Sequence, residues 1–186
     1  MDLNQFTQRS REALQEAQIT AMRAGNPTFD GEHLLGALLE HRGGMVPMIV
    51  EKLDRDPGKI LVEVRKHLDN LPKVGSDSYS DENVVATNRL IRILADSKKE
   101  AETMKDRFIS VEHILLSLIE EGKKTESGRI LQENGIKREP VLKALSDLRG
   151  RQRVDSENPE AGYDPLERFG RDLVDEARSG KLDPII

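Results

Sequence analysis

Four histidines, His33, His41, His67 and His113, are the first residues to weigh for chemistry, because neutral imidazole binds metals and moves protons near neutral pH. His33 and His41 lie eight residues apart, about two turns of a helix and too far to share a tetrahedral ion. The i, i+4 histidine pair of an HExxH metal motif is missing. His33 and His113 are therefore expected to pack or hydrogen-bond near a core, with no metal site. A nucleotide site needs a glycine loop and a lysine in the pattern GxxxxGK[ST]. Gly-Lys occurs at 58–59, 122–123 and 180–181, but none is followed by Ser or Thr and none has a glycine five residues earlier. No strained GxSxG elbow for a nucleophilic serine occurs either. These residues are expected to bind rather than to catalyse, and to need no cofactor of their own. The carboxylates Glu32 and Glu112, each directly before a histidine, are the paired polar candidates.

Those Glu-His pairs belong to a duplication. Residues 28–41 read TFDGEHLLGALLEH and residues 108–121 read FISVEHILLSLIEE. An offset of 80 aligns Glu32 with Glu112, His33 with His113, Leu35 with Leu115, Leu38 with Leu118 and Glu40 with Glu120. Without a gap it also pairs Thr7 with Thr87, Arg9 with Arg89, Leu14 with Leu94 and Ala21 with Ala101. One register held over more than thirty residues points to an internal repeat. Farther on the offset slips by one, so that VEKLDRDPGKI (50–60) faces LQENGIKREPV (131–141).

Each copy reads as four helices. The first runs from about Asn4 to Ala24, and again from Asp81 to Met104, with Ala13, Leu14, Ala17 and Ala21 matched by Leu90, Ile93, Leu94 and Ala101 at helical spacing. The second starts after Asp30 and after Ser110, both good N-caps, and ends at Gly43-Gly44 and at Gly122. Shorter helices follow near 45–53 and 57–70, and near 126–134 and 138–148, with Pro57 and Pro140 close to a helix start. Pro72 to Ser80 is a polar connector. The expected fold is all-α, with two tandem, pseudo-twofold four-helix repeats, about 1–74 and 81–149. Residues 150–162 read as a solvated linker. Residues 163–186 return to helical spacing through Leu166, Phe169, Leu173 and Ala177, with too little core to fold alone.

Composition narrows the function classes. The 186 residues are 34% charged and 36% hydrophobic, with no Trp and a net charge of −5, which suits wet helices and argues against nucleic acid as the ligand. There are no cysteines, so neither disulfides nor thiol-bound zinc hold the fold. No apolar run approaches the ~18 residues of a membrane span, and the first residues carry no apolar signal core. A soluble, cytoplasmic protein without membrane contact is expected.

EHLLGALLE and EHILLSLIE, one in each half, resemble the duplicated N-terminal domain of the Clp family of AAA+ chaperones. LRGRQRVDSENPE and LERFGRDLVDEARSGKLDPII resemble the linker and the first ATPase module of ClpB-type disaggregases. The resemblance implies a substrate-recognition domain, on a tether, that passes unfolded or aggregated polypeptide to a hexameric threading ring. ATP and magnesium would act in that ring, co-chaperones would be further partners of the whole protein, and this stretch by itself would be monomeric. Residue by residue, the resemblance points to Thr7, Asp106 and Glu112 for client binding, with Leu94, Phe108 and Ile109 as apolar neighbours. A second reading comes from the sister ClpC family, in which glutamates matching Glu32 and Glu112 help hold phospho-arginine tags or serve adaptor docking. That family usually carries Thr before each Glu, whereas here Gly31 and Val111 stand there.

Overall fold

The computed structural model of the chain describes residues 2–74, 84–150 and 152–159. Repeat one holds α1 (Gln8–Ala24), α2 (Gly31–Glu40), α3 (Met45–Lys52) and α4 (Pro57–Asp69). Repeat two holds α5 (Asn88–Met104), α6 (Val111–Glu120), α7 (Glu126–Glu133) and α8 (Arg138–Arg149). Asp30 and Ser110 are the N-caps of α2 and α6, and Pro57 opens α4. Residues 75–83 and the expected final helix, 163–186, lie outside the described residues.

Two helix starts differ from the sequence pattern. α1 and α5 begin at Gln8 and Asn88, not near Asn4 and Asp81. The caps explain the difference. Thr7 accepts from the Ser10 N–H at 3.3 Å and Thr87 from the Leu90 N–H at 3.0 Å, so the helices start there; Val85–Ala86 before Thr87 are extended, and Phe6 before Thr7 is extended after a short 3-10 turn, Leu3–Gln5. The extended residues are used for pairing. β1 (Thr28–Phe29) runs parallel to β2 (Val85–Ala86), with Phe29 opposite Ala86. Phe6 forms an isolated parallel bridge with Ile109. Exchanging each residue for its repeat counterpart, Phe6 for Ala86 and Ile109 for Phe29, turns one pairing into the other. The bonds agree: Thr7 N–H donates to Ile109 O at 3.0 Å, and Thr87 N–H to Phe29 O at 3.1 Å. Each repeat thus starts its first helix from a loop of the other.

α2 and α6 form the centre. Every residue from Gly31 to Leu39 and from Val111 to Ile119 is buried. α1, α4 and α3 cover α2, while α5, α7 and α8 cover α6, and the two central helices touch each other. One apolar cluster runs through both repeats, from Phe6 to Leu145.

Helix exits also match across the repeats, with one exchange of residue type. After α1, Gly25 takes φ +73°, and after α5 Lys105 takes φ +60°. In both, the next N–H closes back on the helix: Asn26 to Ala21 O at 2.9 Å, and Asp106 to Ala101 O at 2.9 Å. After α3 and α7 the roles reverse, with Asp54 at φ +54° and Gly135 at φ +76°. A left-handed conformation costs an L side chain about 1–2 kcal/mol, and aspartate less than lysine. Lys105→Gly is therefore expected to raise stability by about 1 kcal/mol and Asp54→Gly by less, read as urea midpoints at unchanged slope.

Candidate functional site

The histidine of each Glu-His pair is a capping residue. His33 Nδ1 accepts from the Asp30 N–H at 3.2 Å, and His113 Nδ1 accepts from the Ser110 N–H at 2.9 Å. With Asp30 and Ser110 reaching the other way, each pair closes a capping box in which histidine replaces the usual Glu or Gln. This network leaves the ring proton on Nε2. In repeat one Nε2 faces Asn26 Oδ1 at 3.2 Å, and in repeat two it faces Asp106 Oδ2 at 2.9 Å. Burial holds the His33 imidazole below its ordinary range, against the pull of Glu32 and Asp30. Among the described residues no His, Asp and Glu group is arranged to hold a metal.

Both glutamates are buried against an arginine, Glu32 through hydrogen bonds and Glu112 through an ion pair. Glu32 Oε2 lies 2.8 Å from Arg89 Nη1, and its Oε1 accepts from the Ser127 N–H at 3.1 Å. Arg89 is also bidentate to Glu121, at 2.8 Å through both Nε and Nη2, and donates to Ser127 Oγ at 2.7 Å. Burial alone would raise the Glu32 carboxyl; Arg89 and the Ser127 N–H outweigh it and hold the carboxyl below its ordinary 4.5. Glu112, 2% exposed at its side chain, lies 3.2 Å from Arg149 Nη1. Arg149 Nη2 donates to Asp106 at 2.8 and 2.9 Å. Neither Glu32 nor Glu112 presents an open carboxylate to a tag.

The duplication explains an open groove. Residues equivalent to Gly31, Arg89, Ile93 and Glu121 are Val111, Arg9, Ala13 and His41. In the first set a side chain at 31 would come within 2.9 Å of Arg89 Nη2 and 3.0 Å of Ile93, so glycine lets Arg89 fold inward and seal the site. In the second set valine occupies that place, and Arg9 turns out to pair with Glu12 at 2.7 Å. Ala13 is three carbons smaller than Ile93. The result is a groove of about 290 Å³ between α1, the end of α2, α3 and the start of α6. Its floor is Ala13, Leu38, Met45, Val46 and Val111, and its rim is Arg9, Glu12, Glu16, Glu40 and His41.

A second feature lies on the other side of the α1 start. The segment 152–159, expected to be a solvated linker, is laid along the domain. Val154 is fully buried. Its carbonyl accepts from the Arg107 and Phe108 N–H groups at 3.0 and 3.1 Å, and its N–H donates to Asp106 Oδ1 at 2.9 Å. Farther along, Glu157 O accepts from the Gln8 N–H at 2.8 Å, and its carboxylate meets Arg11 at 2.6 Å. Burial pushes the Asp106 carboxyl up, but His113, the Val154 N–H and Arg149 hold it below its ordinary 3.8.

Of the six residues expected at a client surface, Asp106 and Phe108 touch this segment, Thr7, Ile109 and Glu112 lie next to residues that do, and most of them are buried. Thr7, Leu94, Ile109 and Glu112 are buried in the fold, and the Asp106 side chain is 1% exposed. Phe108 is half-buried, with the Arg107 guanidinium 5.5 Å from its ring centre. Thr7 caps α1, and Glu112 and Asp106 pair with Arg149, so their polar atoms are used within the domain. Ala13, Met45, Val46 and Arg149 were not legible as site residues. Val154 carried a faint signal, as the one branched apolar residue in the polar run 149–162.

These features define a duplicated all-α domain with crossed repeats and an open apolar groove. Residues 5–134 match the Clp repeat N-terminal domain family, and the chain belongs to that family. Along all 186 residues it is 41% identical to the chaperone protein ClpB of Nitratidesulfovibrio vulgaris and 38% identical to that of Bacillus cereus. It spans about a fifth of those relatives, 22% and 21% of their lengths. Among solved structures, the Hsp104 N-terminal domain from Candida albicans shares the fold at TM-score 0.70 and 23% identity, over 83% of this chain and 97% of that one. The N-terminal domain of ClpD from Arabidopsis thaliana does so at TM-score 0.59 and 21% identity, over 80% and 97%. No helix among the described residues is long and apolar enough to cross a membrane.

Because the folded state holds the Asp106 carboxyl low, the stability this group adds is full above its ordinary value and is lost as pH falls through the lowered one. Arg149→Met would leave buried carboxylates without their cation, at a cost of about 3–5 kcal/mol near pH 7. That difference from the unaltered chain is expected to narrow at pH 4, because Asp106 of the variant, buried without its cation, takes up a proton there while Asp106 of the unaltered chain stays ionised. Urea melts at the two pH values measure it.

Proposed function

We propose that this domain is the substrate-recognition module of an ATP-dependent, cytoplasmic protein-disaggregating chaperone, and that its groove receives apolar stretches of unfolded or aggregated polypeptide. One observation carries the reading: the same place is sealed by the Arg89 cluster in one half of the duplication and left open and apolar in the other. An unspecialised pair of repeats has no reason to differ there. The floor is aliphatic and includes Met45, whose soft, flexible side chain suits varied partners. On the rim Glu12 pairs with Arg9 and Glu40 with Arg65, so Glu16 is the carboxylate that favours a basic residue beside the apolar stretch of a client. Similarity to ClpB chaperones supplies the rest of the reading. ATP and magnesium then act in ring modules beyond this domain, and the ring is the hexamer. Thr7, Leu94, Ile109 and Glu112 contribute by holding the α1 start and the α6 start in place, while Asp106 and Phe108 stand at the edge itself.

Titration of the isotope-labelled chain with a permanently unfolded polypeptide is expected to shift the amides of Ala13, Val46 and Val111. Ala13→Ile copies the residue of the sealed half. It is expected to weaken client binding at least fivefold while changing stability by no more than about 1 kcal/mol. Unaltered client affinity in that variant would move the domain's role to adaptor docking or control of the ring. Isothermal titration with free phospho-arginine is expected to give no heat at millimolar ligand, since Arg89 and Arg149 already hold the carboxylates a tag would need.

A further inference from the structure

The segment after α8 docks as a bound peptide would. Arg107 and Phe108 offer two N–H donors, Asp106 Oδ1 offers an acceptor, and a pocket between them takes one branched side chain, Val154. The Gln8 N–H and the Arg11 guanidinium then take the carbonyl and the carboxylate of Glu157. Main-chain bonds for affinity and one side-chain pocket for selection are the recipe by which proteins add an extended peptide to an exposed edge. Gln152, Arg153, Asp155, Ser156, Glu157 and Asn158 are exposed, so burial of Val154 and Pro159, with these bonds and those of Gln152 to Arg149, is what holds the strap down. The matching exit after α4 is built differently. There the amide of Asn26, in the place of Asp106, donates to Pro72 O at 3.0 Å, and the Val74 N–H donates to Gly25 O at 2.8 Å.

We infer that the Val154 slot is a second polypeptide site, filled in the resting chain by its own residues 152–157. A client segment of the same chemistry displaces this strap: extended, with a branched apolar residue and an acidic residue three positions later. Displacement frees the chain that follows, so client capture lengthens the tether. This rests on the proposed client-receiving role and adds a site to it. Empty, the slot would open the apolar pocket of Val154 to water while its amides and the Asp106 carboxylate became hydrated, so a client side chain that refills the pocket takes the place of the strap.

The unaltered chain, labelled at valine methyls, is titrated with the unfolded polypeptide used above. Val154 is expected to move to its random-coil position at saturation. A Val154 signal that stays in place while Val46 and Val111 shift overturns the slot and leaves the groove reading standing; no shift at any of them overturns both. As a second measure, a synthetic peptide of residues 150–159 is bound to Val154→Ala/Glu157→Gln and to the unaltered chain, with helical content checked in each. The loosened variant is expected to bind it at least tenfold more tightly, and the unfolded polypeptide to compete. Equal binding, or no competition, overturns the inference.

Discussion

Two helices with no face left for water set the terms for everything else in this domain. α2 and α6 are buried along nearly their whole lengths, so each needs cover on every side. Four short helices do not suffice for one such centre. The repeats therefore share: the centres touch, and the apolar cluster is continuous across both halves. The crossed backbone pairings follow from the same need. Phe6 with Ile109, and Phe29 with Ala86, tie each first helix to the opposite loop, so neither half is closed without the other.

Burying the first turns of α2 and α6 also buries the Glu-His pairs, and each polar atom there must find a partner inside. The histidines answer this by closing their own caps. The glutamates answer it with two different arginines, one from α5 and one from the end of α8. Buried ion pairs of this kind add little net stability, because desolvation offsets most of their attraction. What they do fix is geometry. Arg89 locks repeat one against α5, α6 and α7, and Arg149 locks the end of α8 onto the Asp106 corner where the strap lies.

Function then grows from broken symmetry. Duplication gives two copies of each corner, and only one copy of each needs to serve the fold. A glycine at 31 admits an arginine and closes one corner; a valine at 111 and an alanine at 13 keep its twin open. An asparagine at 26 suits a fixed exit, while an aspartate at 106 with a cation behind it presents an acceptor to a passing backbone. Such differences of one side chain turn a structural repeat into a surface with a groove on one side of α1 and a slot on the other.

Periodicity, capping residues and the offset of 80 determined the eight helices of the described residues and their pairing into repeats, because these depend on residues close in sequence or on a repeated pattern. The pattern also indicated that His33 and His113 serve the core. It misplaced the starts of α1 and α5, since extended residues before Thr7 and Thr87 are held by partners about a hundred and about sixty residues away. The site was decided only in three dimensions. Thr7 looks like a surface polar residue until Ile109 of the opposite repeat pairs with it, and Glu112 until Arg149 at the end of α8 reaches it. Ala13 and Val111 look like ordinary core positions until the missing bulk of one and the side chain of the other open a groove. Val154 looks solvated until Asp106 and two free amides meet it. Local sequence fixes which hydrogen bonds a segment can make with itself. Which of the remaining donors, acceptors and spaces stay open depends on what the other half of the chain brings against them.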